Sequence, residues 1–264
     1  PYSCVFCCIN APFGKAGIRF RSPELAVNEI GLLVSRYGIK NIKIADELFI
    51  LKEKHYMTIL DLLIQRGYEL NIWAYARVDT VKPENLKKMK KAGINWLALG
   101  IESANPEVRD GASKKMKIKD IKNVVKNIQD EGIRVIGNYI FGLPDDTLET
   151  MQETLDMAIE LKCEFANFYS AMAYPGSKLH DIVIKEGWEL PKEWHGYSQH
   201  SYETLPLPTK YISAKEVLKF RDDAFNSYFK DQGYLDMIED KLGDDVRAHI
   251  QNMTKNRIKR KILE

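Results

Sequence analysis

The sequence predicts an α/β fold built on a parallel sheet, and three observations predict it. Short apolar runs with strand-like alternation recur along the first two thirds of the chain. Amphipathic segments of about ten to fifteen residues separate them, the signature of βα units. Capping residues open the amphipathic segments and glycines close them. Right-handed crossovers would then put the helices outside the sheet, with functional residues at the C-terminal ends of the strands. The rhythm fits an open barrel of five or six strands and a doubly wound sheet equally. The units differ in length and do not repeat in sequence, which excludes a solenoid.

The elements follow in order. Ser22-Pro23-Glu24 starts a helix with a capping hydroxyl, a proline in the first turn and an acid at the positive end. Ala26, Ile30, Leu33, Val34 and Tyr37 continue at helical spacing and Gly38 ends the run. A strand is predicted over 39–45, where Ile42 and Ile44 alternate with Lys43. Tyr56, Ile59, Leu60 and Leu63 mark a helix ending at Gly67, and 70–77 is an aromatic-rich strand. Pro83 opens a short helix that Gly93 closes, followed by a buried strand over 94–101. Ile118, Ile121, Val125 and Ile128 form a helix stopped by Gly132, before a strand over 133–141. Thr147 caps a helix carrying Leu148, Met151, Leu155 and Ala158, and 164–171 is the last strand.

A loop with Pro191, Pro206 and Pro208 is predicted over 190–212. Ser213-Ala214-Lys215-Glu216 is a capping box that opens a helix with Val217, Leu218, Phe225, Tyr228 and Phe229, and two more helical stretches follow. Residues 1–190 are therefore expected to form the core and 191–264 a loop and helical extension. The polar, aromatic stretch from His195 to Tyr202 follows the last strand, where it would either cover the strand ends and touch substrate or form an ordered surface loop.

Composition narrows the function classes. Lys plus Arg is 39 and Asp plus Glu is 37, a net charge of +2, which argues against a dedicated nucleic-acid binder. The basic end (Lys255, Arg257, Lys259, Arg260, Lys261) reads as a solvated helix face. At 45% hydrophobic and 29% charged the chain is globular rather than disordered. No signal-peptide pattern or membrane-length apolar run is present, so a cytoplasmic address is expected. Cysteines there are reduced, and read as metal ligands or redox centres before disulfides.

Three of the four cysteines, Cys4, Cys7 and Cys8, crowd the start of a chain that opens at Pro1. Cys4-Val5-Phe6-Cys7 would hold two thiolates on one metal centre from a single loop. A thiol–disulfide pair or inert cysteines fit that spacing as well. Cys8 adjoins Cys7, so its side chain should diverge. His55, His180, His195, His200 and His249 show no zinc-pair spacing. Cys163 precedes an apolar strand and reads as a small buried hydrophobe.

The run Pro1-Tyr2-Ser3-Cys4-Val5-Phe6-Cys7 resembles the tail of the C-x-x-x-C-x-aromatic-C motif of the radical S-adenosylmethionine enzymes. Further matches fall at successive strand ends: Ile44-Ala45-Asp46-Glu47-Leu48-Phe49, Ala76-Arg77-Val78-Asp79, Gly100-Ile101-Glu102-Ser103, Ile140-Phe141-Gly142-Leu143-Pro144 and Tyr174-Pro175-Gly176-Ser177. Their order is similar to the subgroup that often carries an upstream cobalamin-binding domain, and covers residues 1–180. The resemblance implies a partial (β/α)6 TIM-like barrel with its first strand missing, followed by the helical extension. It also implies a chain cut inside its cluster motif, the first cysteine standing just before Pro1. The family often has glycine where Asn138 stands and glutamate where Asp145 stands.

By the same resemblance, Cys4 and Cys7 would ligate a 4Fe–4S cluster whose open iron takes the amino and carboxylate groups of S-adenosylmethionine. Reductive cleavage would give methionine and a 5′-deoxyadenosyl radical. Phe6 would shield the cluster and border the adenine. Asp46 or Glu47 would bind the substrate ammonium, and Arg77 a carboxylate in bidentate fashion. Glu102 and Ser103 would orient the ribose or carboxylate. Asn138, Ile140, Gly142 and Pro144 would contact the nucleoside, Gly142 by close backbone approach. Structural roles are open beside each: helix caps for Asp46 and Glu47, an Arg77–Glu102 ion pair, a turn at Ser103. Of Asn138 and Tyr139 only one faces the interior.

Three readings result: a cobalamin-dependent radical methyltransferase, a cobalamin-independent radical oxidoreductase or methylthiotransferase, and a non-catalytic metal-binding scaffold. The first two imply a small-molecule or lipid substrate and a flavodoxin- or ferredoxin-type reductase as partner.

Overall fold

The computed structural model describes residues 2, 4–14, 17–113 and 118–264, with Ile118 described by its backbone alone. Pro1 and Ser3 of the cysteine motif lie outside the described residues. The order is α1 (Pro23–Tyr37), β1 (Asn41–Lys43), α2 (Glu53–Arg66), β2 (Asn71–Arg77), α3 (Pro83–Lys91), β3 (Ile94–Glu102), α4 (Pro106–Gly111), α5 (Ile118–Asp130), β4 (Arg134–Phe141), α6 (Leu148–Leu161), β5 (Phe165–Ser170), α7 (Lys178–Glu186), α8 (Ala214–Phe229), α9 (Gln232–Leu242) and α10 (Asp244–Met253).

All five strands pair in parallel in sequential order, β1-β2-β3-β4-β5, and curl into a half-barrel. A sequential order has no switch point, which separates it from the doubly wound alternative. Ile72, Ala74, Leu97, Leu99, Ile101, Val135, Tyr139, Phe141, Ala166 and Phe168 face outward and are buried beneath the helices. The opposite face forms rungs. Tyr75, Ala98, Ile136 and Phe165 align across four strands, and above them Arg77, Gly100, Asn138 and Asn167.

Local chemistry sets most boundaries as expected. Ser22 accepts from the Leu25 amide, and the Thr147 and Ser213 capping boxes are formed. Gly38, Gly67 and Gly187 close helices in the left-handed region. Two helices were not anticipated. α4 is a six-residue turn capped by Asn105, and α7 follows the Ser177 cap. The first strand is shorter than the predicted 39–45, because only Asn41–Lys43 keep register with β2. Beyond it the Ile44 and Phe49 amides still donate to the carbonyls of Trp73 and Tyr75 while the chain turns away.

The extension shares the core of the sheet. Tyr228, Phe229, Tyr234, Leu235, Ile238 and Ile250 belong to the same buried cluster as the strands. Tyr228 Oη donates to the Cys163 carbonyl, Tyr234 Oη to that of Glu164, and Arg221 Nε to that of Phe168. These bonds satisfy carbonyls along β5 that would otherwise be buried unpaired. The basic end departs from the expected solvated helix face. α10 stops at Met253, and Arg260 is buried with its guanidinium bidentate on Asp222 at 2.9 Å. Among the described residues no helix is long and apolar enough to cross a membrane.

Candidate active site at the strand ends

The cysteine loop lies across the C-terminal mouth of the half-barrel. Val5 fixes it through both backbone groups, donating to the Ala112 carbonyl at 3.3 Å and accepting from the Leu179 amide at 2.8 Å. Val5 and Phe6, with Ile140 beside them, pack against the cluster of Val108, Ala112, Leu143 and Ala171, and Phe6 also packs against that of Ala173, Leu179 and Leu207. Phe6 thus anchors the loop to the ends of β4 and β5, between its two cysteines.

Cys4 is half-buried and Cys7 exposed. Surrounding protein nevertheless desolvates the Cys7 sulfur and pushes its pKa up, a backbone bond with Ile9 opposes this, and Cys8, Cys4 and Glu47 add to it. Asp46 and Glu47 are exposed in the turn after β1. Neither caps α2, whose cap position is Lys52.

Arg77 closes β2 beneath Cys4. Its Nε and Nη2 hold Asp79 at 2.9 and 3.0 Å, its Nη1 points at Cys4 Sγ at 3.7 Å, and its guanidinium lies 3.8 Å over the Tyr2 ring. This corrects the expected bidentate grip on a bound carboxylate: Asp79 already occupies that fork, and one N–H edge remains for the mouth. Glu102 is buried at the end of β3 in the left-handed region (φ 68°), where the register with β4 slips. Ser103 is fully buried and turned away from the mouth. Its hydroxyl lies 3.2 Å from that of Thr154 on α6 and accepts from the Asn105 amide.

Asn138 faces the barrel interior and Tyr139 the outer core, which settles the alternation between them. Asn138 Nδ2 donates to the Leu99 carbonyl at 3.0 Å, and its Oδ1 accepts from Asn167 Nδ2 at 2.9 Å. Ile140 is half-buried on the same face. Gly142, at φ 82°, turns the chain after β4 and presents its amide, with that of Leu143, to Asp146 Oδ2 at 2.9 and 3.0 Å. Pro144 follows, its carbonyl accepting from the Lys210 amide.

Three residues take roles in the structure that the sequence does not assign them. Asp79 is visible there only as the residue two beyond Arg77. Asp146 is buried, and that burial pushes its carboxyl up to about 6, against the bonds from Thr150, Leu143 and Gly142. Gln199 lies within the stretch expected near the strand ends. Its side-chain amide accepts from the Ser170 amide at 3.0 Å and donates to the Ser170 carbonyl at 2.9 Å, imitating the missing neighbour strand. Tyr197 stacks on Tyr174 beside it at 6.0 Å.

A curled parallel sheet with a cysteine loop and charged residues gathered at its strand ends defines a barrel enzyme that works from its C-terminal face. The sequence profile of the radical SAM superfamily matches residues 1–158, and the chain belongs to that superfamily. It is 30% identical over 229 residues to an uncharacterized methyltransferase of Pyrococcus horikoshii, covering 87% of this chain and 49% of the relative. It is 30% identical over 237 residues to an anaerobic magnesium-protoporphyrin IX monomethyl ester cyclase of Rubrivivax gelatinosus, covering 89% and 41%. The fold matches the radical S-adenosylmethionine methyltransferase TsrM of Kitasatospora setae, solved with cobalamin and a [4Fe-4S] cluster, at a TM-score of 0.63 and 21% identity over 70% of this chain and 35% of that one. The chain thus spans half or less of the length of these proteins. Enzymes of the superfamily use a 4Fe–4S cluster and S-adenosylmethionine.

Proposed function

We propose that the chain is the catalytic barrel of a radical S-adenosylmethionine enzyme, and that the parent protein is a cobalamin-dependent methyltransferase. The supporting observation is the pair Cys4 and Cys7 on one loop across the strand ends, with Arg77 Nη1 3.7 Å from the first sulfur. Thiolates suit iron. Cys4 and Cys7 supply two donors. Among the described residues no group of three or more His, Cys, Asp or Glu side chains is placed to hold a metal ion.

With its cluster and S-adenosylmethionine bound, such a centre supplies one-electron cleavage of the sulfonium to a 5′-deoxyadenosyl radical. The protein's part is ligation, orientation and exclusion of water. Phe6 and Ile140 wall off one side of the mouth. Asn138, held by Leu99 and Asn167, offers a fixed amide to a nucleoside. Gly142 is closed in by Val217 and Asp146 and shapes the turn rather than the contact surface, and Arg77 Nη1 donates toward the Cys4 sulfur. Cobalamin would sit on another part of the parent protein. The substrate would be a small molecule or a lipid, and the electron would come from a flavodoxin- or ferredoxin-type donor in the cytoplasm. A radical cyclase is the second reading, favoured by the Rubrivivax relative, which is named a cyclase.

The test is anaerobic reconstitution of the full-length protein with iron and sulfide, then reduction with S-adenosylmethionine. Iron–sulfur absorbance and 5′-deoxyadenosine are expected, both lost in Cys4→Ala and Cys7→Ala. One zinc, no iron and no 5′-deoxyadenosine would instead establish the non-catalytic scaffold.

A further inference from the structure

The inner face of the half-barrel carries a second feature, at the opposite end from the cysteine loop. A cavity of about 420 Å³ opens there, walled by Trp73, Trp96, Ile136 and Phe165 and floored by Asn41 and Asn71. Lys43, part of the lining, has its Nζ 3.9 Å from the Trp73 ring centre, and outside the lining the Arg134 guanidinium is 5.2 Å from that of Trp96. Neither makes an ion pair among the described residues. The lining holds no carboxylate. Trp73 Nε1 is a buried donor with no acceptor among the described residues, and Asn71 Oδ1 a buried acceptor with no donor. A buried polar atom without a partner is costly, so the cavity is built for a ligand that supplies one.

We propose that this cavity is the substrate chamber and that it takes a flat, multi-ring carboxylate. The ring system lies between Trp73, Trp96 and Phe165, where stacking rewards planarity. The carboxylate meets Lys43, and a carbonyl or carboxylate oxygen accepts from Trp73 Nε1. Length follows from the strands. Trp73 and Arg77 are four residues apart on β2, ~13 Å at the usual rise. A ligand anchored at the floor reaches the rim beside Cys4 only if its body approaches that length, which a single ring does not. The proposal deepens the radical-enzyme reading and rests on it only for the name substrate.

The test is calorimetric titration of the full-length protein without S-adenosylmethionine, alongside tryptophan emission. The probes are 1-pyrenecarboxylate, 1-pyrenemethanol and cyclohexanecarboxylate. The carboxylate of pyrene is expected to bind about tenfold or more tighter than either partner probe, and to quench emission. Lys43→Met, which keeps the apolar stem, should reduce it to the level of the alcohol. Trp73→Ala should weaken both pyrene probes. Equal binding of acid and alcohol, binding unchanged in Lys43→Met, or no binding overturns the proposal. Formation of 5′-deoxyadenosine is scored separately, so the failure of one leaves the other standing.

Discussion

Arg77 Nη1 stands 3.7 Å from Cys4 Sγ while Asp79 holds the rest of the guanidinium. The carboxylate fixes the cation and the cation faces the sulfur, so one ion pair aims a positive charge at the cysteine loop. Arg77→Gln should therefore slow alkylation of Cys4 by iodoacetamide about three- to tenfold, as read by mass spectrometry of the metal-free protein. Arg77→Lys should recover part of the rate, because it keeps the charge and loses the fork on Asp79. Cys7, which Arg77 does not contact, should react as before.

Asp146 carries a pH signature. Its carboxyl sits at about 6 in the fold, against 3.8 in a free chain, because burial outweighs the bonds it accepts. The folded state therefore binds the proton more tightly. The stability this contributes is fully present below about pH 4 and is lost as pH rises through about 6, a change of up to ~3 kcal/mol. Asp146→Asn keeps an acceptor for the Gly142 and Leu143 amides and does not titrate. Denaturant unfolding at pH 4 and 7 should show wild type losing stability relative to this variant. A flat difference would mean that the three donors hold the carboxylate ionised at both values.

Legibility in the sequence followed the range of the physics. Ser22, Thr147 and Ser213 cap their helices through bonds that span three residues, so local sequence reveals them. The strand ends carrying Arg77, Glu102 and Gly142 were found the same way, from punctuation and motif. What pairs across the fold was not readable. Only the alternation of β4 against β3 and β5 turns Asn138 inward, and only α6 withdraws Ser103 to Thr154. The burial of Arg260 depends on Asp222, 38 residues earlier on α8. The six-residue α4 carries too few apolar positions to set a period. The cavity was half visible: Trp73 and Tyr75 alternate within β2, but Trp96, Ile136 and Phe165 join them only through register.

The four thiols should separate by environment. Cys163 is fully buried and its thiol is pushed up to about 12, by burial first and by neighbouring Glu164 next. Cys4, Cys7 and Cys8 are all partly or fully open. Since the thiolate is the reactive form, native protein should release three equivalents with Ellman's reagent and the fourth only on unfolding. Cys163→Ala should leave the native count unchanged. It should cost about 1–2 kcal/mol for the cavity left between Tyr139 and Tyr228.

Gly142 tests the bond between the extension and the mouth. Its φ of 82° disfavours any side chain, and an added Cβ would collide with Val217 Cγ1 at the start of α8. Two costs should therefore combine in Gly142→Ala: about 1 kcal/mol for the left-handed backbone and about 1–3 kcal/mol for overpacking. They separate in a double-mutant cycle. Val217→Ala alone opens a small cavity in a buried site, but in the Gly142→Ala background it also removes the clash. The double variant should be destabilised by less than the sum of the singles, with a coupling of about 1–2 kcal/mol, measured by urea unfolding. Additive singles would mean that α8 moves aside freely. The helix would then be packed on the turn without constraining it, and the extension could not position Gly142 at the mouth.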